Sequence, residues 1–108
     1  MAAVTPRPAD ELPTGDVTLT GGVLHLTGET DAAARAFLRS GPPLQQVTAV
    51  DMTQAHHAGE DTYHLLARCL QQTLTHHPGT RLQLTGADDD TRWHLDRLGI
   101  TTWLDLSD

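Results

Sequence analysis

The sequence contains no lysine, a single cysteine and only four aromatic residues, Phe37, Tyr63, Trp93 and Trp103. Without lysine, all seven basic residues are arginine, and they face fourteen carboxylates, for a formal charge of −7 over 108 residues. A chain of that sign repels a phosphate backbone and an anionic lipid surface, which argues against nucleic acid as a partner. Cys69 cannot close an internal disulfide, and its place in an apolar helical pattern marks it as a small buried hydrophobe. No run approaches the roughly 18 apolar residues that a membrane-crossing helix needs, and the N-terminus lacks the basic-then-apolar order of a secretory signal. We therefore expect no membrane insertion and a cytoplasmic location. The length suits one domain, and a hydrophobic content of 38% suits a small α/β domain with a flexible end.

That end is residues 1–15, where Pro6, Pro8 and Pro13 interrupt small and acidic residues that follow no apolar period. Such a segment has little to bury and is expected to be a disordered tail, leaving residues 16–108 as the domain. Val17 to Thr20 and Val23 to Thr27 alternate apolar and polar residues around Gly21-Gly22, the pattern of a β-hairpin. Asp31 is placed to cap a helix from Ala32 to about Arg39, which Ser40-Gly41-Pro42-Pro43 ends. Val47 to Met52 is short, β-rich and largely apolar, as a core strand would be.

After a His-rich loop, Tyr63, Leu66, Leu70 and Leu74 recur at helical spacing until His76-His77-Pro78-Gly79. Arg81 to Thr85 alternates as a fourth strand, and Asp88-Asp89-Asp90 sits where negative charge favours a helix start. In that third helix Leu95 and Leu98 should face inward, with Gly99 at the C′ position and Ile100 making the accompanying hydrophobic contact. Trp103 to Leu106 reads as the last strand, and Trp93 and Trp103 are expected in the core, with interface anchors as the alternative for each. The predicted order is β-β-α-β-α-β-α-β, an α/β fold on a mixed, mostly parallel sheet.

Four segments in this order carry a family resemblance. Gly28-Glu29-Thr30-Asp31, Val50-Asp51-Met52-Thr53, Arg81 to Gly86, and Leu95 to Gly99 resemble, in turn, the Gly-Glu-Leu-Asp, Val-Asp-Leu-Ser, Leu-x-Leu-x-Gly and Leu-x-x-x-Gly landmarks of STAS domains, the sulphate transporter and anti-sigma factor antagonist family. The match covers Val17 to Leu106. It implies a non-enzymatic module without cofactor that docks a protein partner. In the antagonist branch, an Asp-Ser-Ser-Gly segment lies eight residues beyond the strand-three Asp, and an anti-sigma factor that is also a kinase phosphorylates one of its serines. Eight residues after Asp51 this chain reads Gly59-Glu60-Asp61-Thr62, with neither serine.

On that alignment Asp61 occupies the phosphoserine position, with Glu60 as the alternative. A carboxylate carries about one negative charge against about −1.5 to −2 for phosphoserine, so Asp61 is an imperfect imitation of the phosphorylated state. A plain helix-dipole role explains Glu60 and Asp61 equally well. With a two-residue insertion, Thr62 becomes the phosphoacceptor instead, but that shift puts Arg68 where the family buries a leucine.

The implied partner-binding surface is His56, His57, Gly59, Glu60, Asp61, Thr62 and Tyr63, with Tyr63 as an aromatic anchor or as ordinary helix packing. Partners of the implied kind are an anti-sigma factor, a serine kinase-like ATPase regulator or another STAS protein, with a homodimer left open. A second reading is the accessory subunit of an ABC-type lipid transporter. His56, His57, Glu60 and His64 invite a metal hypothesis, yet no His-Glu-x-x-His or paired-cysteine pattern supports it, and no metal is expected. His76 and His77 suit a helix C-terminus. A nucleophile elbow, a P-loop and a dinucleotide fingerprint are all missing, so the chain is not expected to be an enzyme.

Overall fold

The hairpin comes first because Gly21 and Gly22 both take positive φ, 58° and 82°, which a tight turn between right-twisted strands demands. It joins strand β1 (Asp16–Thr20) to β2 (Val23–Glu29) in antiparallel register. The computed structural model describes residues 15–41, 43–56 and 58–107, so the expected tail lies outside the described residues except for Gly15. From β2 the chain runs through helix α1 (Thr30–Arg39), β3 (Ala49–His56), α2 (Glu60–His76), β4 (Leu82–Thr85), α3 (Asp89–Arg97) and β5 (Leu104–Ser107). The five strands lie side by side in chain order, and every pairing after the hairpin is parallel. The result is an α/β fold with one mixed five-stranded sheet and three helices among the described residues.

Alternation along the strands decides the layering. Leu24 and Leu26 on β2, Val50 and Met52 on β3, and Leu82 and Leu84 on β4 are buried together with Leu65, Leu66 and Cys69 of α2 and Leu95 of α3. Their neighbours Thr18, His25, Asp51, Thr85 and Ser107 form a row across the other face, which is left to water. All the helices therefore share one side of the sheet, and each fully buried leucine there contributes about 1.5–3 kcal/mol. Gly86 ends β4 at φ 77°, where an added Cβ would stand 2.5 Å from the Thr53 backbone; only glycine lets these two segments come so close.

Several expectations need correcting. β3 extends four residues past Met52, because after a register shift its polar end continues to pair with Thr27, Gly28 and Glu29 of β2. His56 thus closes a strand and does not begin a loop. Trp93 and Trp103 are 55% and 48% exposed, not core residues. The inward stripe of α3 is Thr91 and Leu95, and Trp93 lies about 200° around the helix from Thr91. Leu98, expected inside, is 56% exposed: α3 ends at Arg97, and the chain turns away at Gly99.

The end of α3 follows the predicted cap. Ile100 donates its amide to Leu95 O at 3.3 Å, Gly99 takes φ 75°, and Ile100 packs on the core. Trp103 belongs to a short 3-10 turn, Thr101–Trp103, ahead of β5. No helix among the described residues is long and apolar enough to cross a membrane.

Candidate functional site

Helix α2 starts without a side chain of its own to cap it. Gly59 precedes it in extended backbone and can offer no acceptor to the free amides of the first turn. The acceptor comes from another element: Asp31, expected to cap α1, lies inside the first turn of α1 and turns its carboxylate to α2. Asp31 Oδ1 accepts from the Thr62 amide at 2.8 Å and from the Thr62 hydroxyl at 3.0 Å. The Gly59 amide closes the arrangement with a longer 3.4 Å contact to Thr62 Oγ1. A Cβ on Gly59 would stand 3.0–3.2 Å from the Asp31 carboxyl atoms, so glycine leaves room for the cap. The motif is a capping box divided between two helices.

Thr62, at the centre of that cap, is fully buried. Its hydroxyl is committed to Asp31, and a phosphoryl donor could reach it only after the cap had opened. Asp61, one residue earlier, points the other way and is partly exposed. Its Oδ2 accepts from Arg35 Nε at 2.9 Å and Nη2 at 2.8 Å, linking α2 to α1 a second time. The bond to Asp61 also raises the Arg35 pKa above its already high ordinary value. Glu60 and His64 are exposed beside this pair.

Tyr63 is nearly buried, at 9% exposure. Its ring stacks on His94 of α3 with centroids 4.8 Å apart and planes 18° apart. Its hydroxyl lies 3.4 Å from both Ala58 O and His94 Nδ1, and burial pushes its pKa up. The ring thus packs α2 against α3.

The structure thus gathers Gly59 to Tyr63 at the start of α2 and adds three residues that sequence reasoning did not place there: Asp31, Arg35 and His94. Asp31 and Arg35 are spaced i, i+4 on α1, which puts them on one face and was the available signal. His94 gave none beyond the abundance of histidine. His56 sits across from Glu29 at the end of β3. His57 lies outside the described residues. Among the described residues no three His, Cys, Asp or Glu side chains converge as a metal ion would require. No family model matches the chain, and no curated protein matches it either. Chemically, the arrangement offers a ridge of fixed charge on a well-anchored helix start.

Proposed function

We propose that the chain is a STAS-like regulatory module without catalytic activity, which docks a protein partner through the start of α2. One observation supports this reading above the others. Gly28 to Asp31, a segment that carries the family resemblance, meets Gly59 to Thr62, which stands where the antagonist branch has its phosphorylated serine segment, through the Asp31–Thr62 cap. In this reading Asp61 stands in the phosphoserine position, with Glu60 beside it, and the Arg35 pair holds the Asp61 charge in place. Glu60, Asp61 and His64 give the partner its polar contacts, and charge sets specificity and rate of encounter more than affinity. The partner class is an anti-sigma factor, a serine kinase-like ATPase regulator or another STAS protein.

The test compares wild type with Asp61→Ser and Glu60→Ser/Asp61→Ser in capture from native lysate, followed by mass spectrometry, phosphate analysis and reconstitution with purified components. A sigma-pathway regulator whose affinity changes at least fivefold between variants, and which phosphorylates the double-serine chain, supports the reading. Equal retention of one partner by all three chains reduces the acidic pair to its favourable interaction with the helix dipole. Recovery of an ABC-type permease ATPase replaces the sigma-pathway reading with that of a transport accessory.

A further inference from the structure

Against the strongly acidic balance of the chain, one place concentrates positive charge. Arg35, Leu38, Arg39, Asp61, His64 and Arg68 line a cavity of about 260 Å³ between α1 and α2. Three of the seven arginines thus converge on one cavity. Helical spacing brings them there: Arg35 and Arg39 are i, i+4 on α1, while Asp61, His64 and Arg68 follow at i, i+3 and i+7 on α2. Leu38 supplies the apolar lining.

The charges in the cavity do not cancel. Asp61 is committed to Arg35 through two N–H contacts to one oxygen, and Asp31, the other acid acting on Arg35, is turned to Thr62. Among the described residues neither Arg39 nor Arg68 has a carboxylate partner. Three guanidiniums against one carboxylate leave two positive charges uncompensated, with the His64 imidazole as a further N–H donor. Guanidinium forks match the oxygens of a tetrahedral oxyanion in pairs, which a halide cannot reproduce. Pockets for drug-sized ligands begin at roughly 300 Å³, so this cavity takes a phosphate group, and the rest of an ester would extend from its open side into water.

We propose that this cavity binds a phosphate group, as inorganic phosphate or as the monoester of a small metabolite, held by Arg39 and Arg68. Asp61 acts there as an internal counter-ion that keeps Arg35 from the ligand. The proposal shares Asp61 and His64 with the docking reading but needs no protein partner, so each is tested without the other.

The experiment follows the arginine Nε–H and backbone amide signals of the labelled chain during titration with sodium phosphate at constant ionic strength. Glycerol phosphate, acetate and chloride are titrated in parallel. Saturable one-to-one shifts at Arg39, Arg68 and the facing turns of α1 and α2 are expected with phosphate or glycerol phosphate. Arg39→Gln and Arg68→Gln should each weaken binding at least tenfold, Arg81→Gln should not, and Asp61→Asn should tighten it severalfold by freeing Arg35. Both substituted arginines are exposed, and thermal melts confirm folding. Tighter binding of glycerol phosphate identifies a monoester as the ligand, and tighter binding of phosphate the free ion. Shifts that never saturate, an equal response to acetate, or unchanged affinity in both Gln variants would each overturn the proposal.

Discussion

Replacing Asp31 by alanine removes one carboxylate from α1 and should destabilise α2. Two hydrogen bonds disappear, from the Thr62 amide at 2.8 Å and the Thr62 hydroxyl at 3.0 Å, and both donors sit on a residue with no exposed surface. Loss of a side-chain N-cap costs about 0.5–2 kcal/mol, and a hydrogen bond to a charged group is worth about 1.5–3 kcal/mol. Asp31 is itself partly exposed, so water screens its charge, and these terms overlap; a combined loss of about 2–3 kcal/mol follows. At about 4–8 °C per kcal/mol for a domain of this size, the melting midpoint should fall by about 10–20 °C. Asp31→Asn keeps an acceptor oxygen and should cost less than about 1 kcal/mol. Urea unfolding followed by circular dichroism measures both, and the slope should stay constant. A double-mutant cycle with Thr62→Val should return a coupling of about 1 kcal/mol or more. An alanine variant within about 0.5 kcal/mol of wild type, inside the usual range for surface changes, would refute the shared cap.

Other outcomes follow from the same structure. Burial pushes the Cys69 thiol up to about 12, so thiol reagents at pH 8 should label the native chain only at its opening rate and the urea-unfolded chain at once. Asp88 caps α3 by accepting from the Thr91 amide at 2.8 Å, and that bond first, then the Thr91 hydroxyl, holds its carboxyl below the ordinary 3.8. Its contribution is complete above the unfolded value and is lost as pH falls through the lower folded one. Acid unfolding of Asp88→Asn should therefore depend less steeply on pH below about 4 than that of wild type. Gly86→Ala forces a Cβ against the Thr53 backbone at positive φ and should cost about 2–4 kcal/mol in urea unfolding. Trp93 and Trp103 should be quenched by acrylamide in the native state nearly as readily as in the unfolded chain, and strong protection would contradict their exposure.

What the sequence reveals and what it hides divide along range. Strands β1 and β2, the cap at Gly99 and Ile100, and the inward side of α2 as far as Leu70 are decided by neighbours within a few residues, and alternation or helical spacing exposes them; Leu74, on the same expected stripe, is 37% exposed, and Thr73 is buried in the last turns instead. The polar end of β3 does not follow that rule. Gln54 to His56 lie beyond the apolar run that marks the strand, yet parallel pairing to β2 resumes through them after a register shift, and pairing partners from another strand leave no local mark. Trp93 shows a different failure: a large aromatic suggests a core, but on a nine-residue helix only one stripe can face inward, and Thr91 and Leu95 take it. At the candidate site, the acidic pair Glu60 and Asp61 was legible. Asp31 has the residue type of a cap for α1 but caps α2, because a capping preference names the residue type and not which helix stands nearest in space. Arg35 and His94 enter only through tertiary contact.

The divided cap bears on how the molecule opens. Asp31 belongs to α1, yet the first turn of α2 depends on it, and Asp61 returns the link through Arg35. If α1 lifts from the sheet, α2 loses its cap and an ion pair at once, so the two helices cannot fray separately. In hydrogen-exchange experiments the amides of α1 and the first turn of α2 should form one cooperative unit with a common opening free energy. Whatever grips the start of α2 will then slow exchange along α1 as well, so contact at one helix is recorded on the other without any change of shape.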